Sequence, residues 1–220
     1  VENLTGGSGD DTFTFTAEGH LEGDIDGGSG NNWLDYSQYA DDNGNGVMVD
    51  LTQGKIQGLG GVITAVNNVL GSDYDDILIG NLEDNIIIGG AGNDVIKGIG
   101  GNNTIIGGAG DDSLYGGSGT DTFVFEDGWG RDILYALDEE EVTGIYILDF
   151  SKVTAALKIT IDEESIIITH GTNTVTVTGS NIQTIIGGSG DDIFKINGEH
   201  QVSLDGGGGS NTLDYSGYGS

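Results

Sequence analysis

Three stretches of nine residues share one arrangement of chemistry. Gly89-Gly90-Ala91-Gly92-Asn93-Asp94-Val95-Ile96-Lys97, Gly107-Gly108-Ala109-Gly110-Asp111-Asp112-Ser113-Leu114-Tyr115 and Gly116-Gly117-Ser118-Gly119-Thr120-Asp121-Thr122-Phe123-Val124 all read G-G-x-G-x-D-x-U-x, where U is a large apolar residue. A carboxylate stands sixth in each, behind a glycine-rich run. Glycine adopts positive φ where other residues do not, so such a run can curl and aim its carbonyl oxygens inward. Calcium takes about six to eight hard oxygen ligands at about 2.3–2.6 Å, and carbonyls plus Asp supply them. The spacing therefore points to calcium.

The blocks belong to a back-to-back series opening at residues 71, 80, 89, 98, 107 and 116. The last three residues of each predict a short strand whose middle side chain points inward: Leu78, Ile87, Ile96, Ile105, Leu114 and Phe123. One such strand cannot bury an apolar face, but copies stacked about 4.8 Å apart build a continuous core. Further copies stand at 6–14 and 187–195, degenerate ones at 27–35 and 206–214. A less obvious one stands at 127–135, where Asp replaces the first Gly; alternatively Trp129 merely caps the regular stack. The reading is an all-β solenoid in one elongated domain, with no helical periodicity. Residues 1–70 are expected to form irregular coils, 71–135 regular ones, 136–186 coils with longer β-branched strands, and 187–220 the start of another unit.

That last boundary rests on a longer period. Gly6-Gly7-Ser8-Gly9-Asp10-Asp11 recurs unchanged at 187–192, and Leu34-Asp35-Tyr36-Ser37 recurs as Leu213-Asp214-Tyr215-Ser216. The sequence thus reads as one unit of about 181 residues plus the beginning of the next, an excised piece of a tandem array.

Charge narrows the partners. Six Lys and Arg against 36 Asp and Glu give a formal net charge of −30, which excludes nucleic acid and disfavours anionic membranes. Without cations, carboxylates one strand spacing apart repel by roughly 1 kcal/mol per pair even at water's dielectric constant, so the metal-free chain is expected to be mostly unfolded. Cysteine is absent, which removes disulfides and thiolate metals, and no run of about 18 apolar residues predicts a membrane span.

On these nonapeptides, and more loosely over the 181-residue unit, the chain resembles the RTX (repeats-in-toxin) family of bacterial exported proteins. The resemblance implies an all-β parallel β-roll in which two nonapeptides make one coil, with each calcium held between stacked turns by carbonyls of positions two and four plus the Asp of one turn, and of positions one and three plus the Asp of the next. Transferred here, one edge stacks Asp76, Asp94 and Asp112, the other Asn85, Asn103 and Asp121. The implied ligands are Ser72, Tyr74 and Asp76; Gly89, Gly90, Ala91, Gly92 and Asp94; Gly107, Gly108, Ala109, Gly110 and Asp112; then Asp127, Trp129 and Asp132. On the other edge they are Gly116, Ser118 and Asp121. The outlying copies add Gly7, Gly9 and Asp11 with Gly27, Ser29 and Asn32, and Gly188, Gly190 and Asp192 with Gly206, Gly208 and Asn211. The Asn edge departs from the pattern, because an amide brings an oxygen without charge; a metal-free Asn ladder is the alternative there.

Other motifs carry less. Asp41-Asp42-Asn43-Gly44-Asn45-Gly46 resembles half an EF-hand loop, but Thr52 stands where a bidentate Glu belongs, and a turn is the better reading. His20, His170 and His200 are scattered, 138–141 reads as a solvated acidic turn, and no nucleophile motif or phosphate loop appears, so no enzyme is expected. Gly58-Leu59-Gly60-Gly61 lacks the strand and helix of a nucleotide site. Two functions are compatible with this chemistry. The first is a calcium-binding structural repeat of a large adhesin or matrix protein, secreted or attached to the surface of a Gram-negative bacterium and folding on calcium after export, its partners being calcium and neighbouring repeats, without membrane insertion. The second is a glycan- or ligand-binding accessory module of a secreted enzyme, which solvent-exposed Trp33, Tyr36, Tyr39 and Trp129 would favour.

Overall fold

Short strands with one apolar centre, separated by glycine turns, bury that centre only by stacking. The computed structural model describes residues 3–16, 22–41, 43–56, 60–136, 144–163, 165–179 and 181–218. His20, Asp42, the Gly58-Leu59 pair, the acidic run 138–141 and the last two residues lie outside them. Among the described residues there is no helix, and the strands form sheets of nine, eleven and three. The chain passes from one face to the other through turns at two edges, making a parallel β-roll.

The nine-stranded sheet runs Thr12–Thr16, Trp33–Gln38, Asn68–Leu70, Ile86–Ala91, Thr104–Ala109, Gly119–Glu126, Gly144–Lys152, Ile182–Ile186 and Ser203–Asp205, all paired in parallel. Opposite it lie Met48–Asp50, Ile77–Ile79, Val95–Ile99, Ser113–Gly117 and Arg131–Ala136 of the eleven-stranded sheet. The register matches the nonapeptide: Ile87 faces Ile105 and Ile105 faces Phe123 on one sheet, Leu78 faces Ile96 and Ile96 faces Leu114 on the other. These six side chains are fully buried, as are Val49, Val69, Leu134, Leu148 and Ile185 in continuation. Each contributes about 1.5–3 kcal/mol of apolar burial, spread evenly along the roll.

The parallel pattern breaks in two places among the described residues: Met48–Asp50 pairs antiparallel with Lys55–Ile56 at the end of the eleven-stranded sheet, and a longer insertion lies further on. Lys158–Asp162, Ser165–His170 and Asn173–Gly179 pair antiparallel and enter the eleven-stranded sheet between Arg131–Ala136 and Ile193–Asn197. The alternating Ile, Val and Thr residues suit a two-faced strand, and Gly171 at φ +60° folds the chain back before it can cross the roll. Beside this insertion the interior holds large rings. Phe125 stacks on Phe150 at 4.5 Å, and Trp129 meets both edge-on at 6.3 and 5.7 Å. Trp129 and Tyr36 are each 2% exposed, so two of the four aromatics that would favour glycan binding belong to the core. Their inward position completes apolar columns at places where the register leaves room for a ring.

Candidate metal centre

The sixth residue of each block reaches an edge because the eighth is pinned in the core, as Asp94 precedes Ile96 and Asp112 precedes Leu114. On the first edge these residues form a ladder. The Asp76 amide donates to Asp94 Oδ1 at 2.8 Å, Asp94 to Asp112 Oδ1 at 2.8 Å, and Asp112 to Asp132 Oδ1 at 3.1 Å. One oxygen of each carboxylate is thereby used. The other, Oδ2 of Asp94, Asp112 and Asp132, is buried without a partner. Burial pushes the Asp94 and Asp132 carboxyls up to about 8 and Asp112 to about 6, from an ordinary 3.8. A buried, unpartnered carboxylate oxygen is unfavourable unless a cation or proton meets it. The donor set suits a hard cation, and calcium fits it.

Glycine serves two purposes here. At position one a Cβ on Gly89 or Gly107 would collide with Oδ2 of Asp94 or Asp112. At positions two and four the backbone takes positive φ, +116° and +112° at Gly90 and Gly92, +107° and +143° at Gly108 and Gly110.

The opening turn of the series differs. Ser72 replaces glycine at position two, and its amide and hydroxyl reach the Asp76 carboxylate at 2.6 and 2.8 Å, with the Val47 amide at 2.7 Å. Asp11 and Asp192 likewise accept the amide of position two, from Gly7 at 2.6 Å and Gly188 at 2.9 Å. The Leu157 amide adds a second bond to Asp192 at 2.8 Å. In these opening turns position two lacks positive φ, so its N–H faces the carboxylate.

The second edge carries the same ladder in amide form. Asp11 donates to Asn32 Oδ1 at 2.9 Å, Asn85 to Asn103 Oδ1 at 3.0 Å, and Asn103 to Asp121 Oδ1 at 2.9 Å. Each Asn Nδ2 then turns onto an acceptor at the edge. Asn32 reaches the Ala65 carbonyl at 2.8 Å, Asn85 the Asn67 carbonyl at 2.7 Å, and Asn103 the Gly100 carbonyl at 3.1 Å and Asp121 Oδ1 at 2.8 Å. Asn211, on the first edge, spans the Gly206 and Gly208 carbonyls at 2.7 and 2.9 Å. Among the described residues of the second edge, Asp121 alone keeps a buried, unpartnered Oδ2. Beside it the Tyr146 hydroxyl donates to the Gly117 carbonyl at 3.1 Å, and a Cβ on Gly116 would meet the Tyr146 ring.

The remaining candidates divide between the edges. Tyr74, Gly89 to Gly92, Gly107 to Gly110, Asp127, Trp129, Gly188, Gly190, Gly206 and Gly208 lie in first-edge turns. Gly7, Gly9, Gly27, Ser29, Gly116 and Ser118 lie in second-edge turns. Sequence reasoning missed a second ladder at position five. Asn93 donates to Asp75 at 2.7 Å, Asp111 to Asn93 at 2.9 Å, Arg131 to Asp111 at 3.1 Å, and on the other edge Asn102 to Asp84 at 2.6 Å. The signal was present, since Asp or Asn recurs fifth in most blocks. Asp41 closes its own turn onto Asn43 and Asn45. Among the described residues no three His, Cys, Asp or Glu side chains converge as in a side-chain metal cage, so a cation here depends on carbonyls.

A family described as RTX calcium-binding nonapeptide repeat matches in four copies, over residues 2–15, 70–98, 97–128 and 177–195. No curated protein matches the chain. Among solved structures, extracellular lipase LipA from Serratia marcescens is similar over 81% of this chain at 16% identity, with a TM-score of 0.37. The matched region spans 38% of that lipase. No helix among the described residues is long and apolar enough to cross a membrane. The chain is a carrier of RTX calcium-binding nonapeptide repeats, and through them it binds Ca2+.

Proposed function

We propose that the chain is a structural repeat of a large secreted or surface-attached protein, an adhesin or matrix component, that folds on meeting calcium outside the cell. The observation that carries this reading is the row of buried, unpartnered oxygens on Asp94, Asp112 and Asp132. The residues that would hold calcium are Ser72, Tyr74 and Asp76 with the turn at 89–94, that turn with the one at 107–112, and the latter with Asp127, Trp129 and Asp132. Bound calcium neutralises these carboxylates and ties successive coils together. The chain supplies a continuous apolar column behind them and a second edge where amides take the donor role. Metal affinity here is folding free energy, because the turns do not pre-exist in an unfolded chain. Low calcium during export and higher calcium outside would then set the direction of folding.

Circular dichroism tests it. The chain should be largely unstructured in excess EDTA and gain β signal in millimolar-range calcium, as weak extracellular sites do. A full β spectrum in EDTA, with metal shown to be absent, overturns the reading.

A further inference from the structure

One end of the roll exposes a surface that is covered elsewhere in the same molecule. Tyr36 and Tyr39 meet edge-on at 6.1 Å and 78°; their sequence equivalents Tyr215 and Tyr218 meet at 6.2 Å and 87°. The pairs are the same device in different surroundings. Tyr36 is 2% exposed, whereas Tyr215 and Tyr218 are 56% and 51% exposed. The difference lies in the neighbouring strands. Trp33–Gln38 is flanked by Asn68–Leu70, and Ile25–Asp26 by Ile63–Thr64. Their equivalents, Thr212–Asp214 and Ser203–Asp205, stand last in their sheets among the described residues, each with one neighbour. Beside them opens a cavity of about 720 Å³ lined by Ile161, Ile196, Val202, Leu204, Tyr215 and Tyr218.

A second observation concerns direction. Thr12–Thr16 and Trp33–Gln38 belong to the nine-stranded sheet, but their equivalents Ile193–Asn197 and Thr212–Asp214 belong to the eleven-stranded one. Ile182–Ile186 and Ser203–Asp205 lie in the nine-stranded sheet, while their equivalents Leu4–Thr5 and Ile25–Asp26 do not. The pairing is repeated within the chain: Leu4 faces Ile25 as Ile185 faces Leu204, and Thr12 faces Trp33 as Ile193 faces Thr212. One unit therefore contains an odd number of face crossings.

We infer that the exposed end around Tyr215 and Tyr218 docks a further copy of this same unit, whose segment equivalent to 41–76 adds parallel strands to both open sheets, and that successive copies are related by a half-turn about the roll axis. The inference rests on the tandem reading above. The occupant is specified by backbone as much as by side chains. Residues 63–64 and 68–70 already perform this covering on an equivalent surface, whereas an unrelated partner would need to match two open strand edges and the tyrosine pair at once.

The test compares the 220-residue chain with a two-copy chain joining residues 1–216 to 38–220, both in saturating calcium. Tyrosines are nitrated with tetranitromethane and quantified by peptide mass spectrometry. In the single copy Tyr215 and Tyr218 should react and Tyr36 resist. In the two-copy chain the first copy's Tyr215 should become at least tenfold less reactive, matching Tyr36. A two-copy chain that gains β signal in calcium but keeps Tyr215 reactive overturns the docking and leaves the tandem reading standing. One that does not fold overturns both. Protection in the single copy as its concentration rises assigns the surface to a separate chain and overturns covalent continuation. For the half-turn, Thr176→Cys in each unit of a three-copy chain, free of other cysteines, is labelled with maleimide nanogold and imaged by electron microscopy. Labels alternating between opposite sides of the rod are expected; labels on one side overturn it.

Discussion

Asp94 and Asn103 fill the same place in neighbouring turns, and both accept the amide of the residue one coil earlier. One replaces an oxygen by an NH2 group, and the consequence is local and complete: the amide finds the Gly100 carbonyl and Asp121, while the carboxylate oxygen finds nothing. Asp94→Ala should therefore reduce the calcium count, read by titration calorimetry, by two ions, because its turn lies between those of Asp76 and Asp112. Asn103→Ala should leave the count unchanged while costing about 1–3 kcal/mol through the orphaned Asn85 amide. An equal loss of ions from both variants would refute the division of the edges. The sequence indicated which positions carry charge and left the Asn edge open between calcium and a ladder. It could not show that Asp76 accepts hydrogen bonds from Ser72 and Val47, since the Val47 contact joins residues 29 apart.

At the scale of the turn, one position-two residue of the described nonapeptide blocks takes the positive φ that glycine supplies elsewhere, without being glycine. Ile99 occupies position two of its block and sits at φ +79°, where Gly90, Gly108 and Gly117 have +116°, +107° and +105°. A β-branched residue in that region is strained by roughly 1–3 kcal/mol. The side chain is 37% exposed, so little burial offsets the strain. Ile99→Gly should stabilise the calcium-loaded roll by about 1 kcal/mol in urea denaturation, the relief of strain being opposed by the greater freedom of unfolded glycine. A loss of stability would show that the turn does not require this conformation. Apolar residues at the eighth position made the strands and their faces legible in the regular blocks. The antiparallel insertion was only half legible. Its strands were evident as β-branched runs at 157–161, 165–169 and 174–178, but their direction depends on the fold-back at Gly171 and on a broad aromatic interior contributed by Phe125, Trp129 and Phe150.

Over the whole molecule, acid and calcium should relieve the same buried carboxylates and therefore compete for them. In the metal-free fold, burial raises Asp94 and Asp132 to about 8 and Asp112 to about 6, above the ordinary 3.8. Between those values the folded chain holds more protons than the unfolded one, so stability of the metal-free roll rises as pH falls from about 8 towards 4. In EDTA, the β signal should grow on acidification over that range. In calcium the midpoint should instead move to higher calcium, because protons compete for the same oxygens. A chelated chain indifferent to pH would remove the buried carboxylates as the obstacle to folding. The coil register also has a mechanical side. From Ile87 to its neighbour Ile105 the chain advances 18 residues along its contour, about 60 Å when extended. The rod axis advances only one strand spacing over the same stretch, about 4.8 Å. Tension along the axis is carried across the strand ladders, so a rod under load lengthens one coil at a time, each release yielding roughly twelve times the length it occupied. Calcium at the first edge sets how hard each step of the folded rod resists, while the amide rungs of the second edge add a resistance that does not scale with calcium occupancy, making the calcium-loaded rod a yielding tether with one adjustable seam.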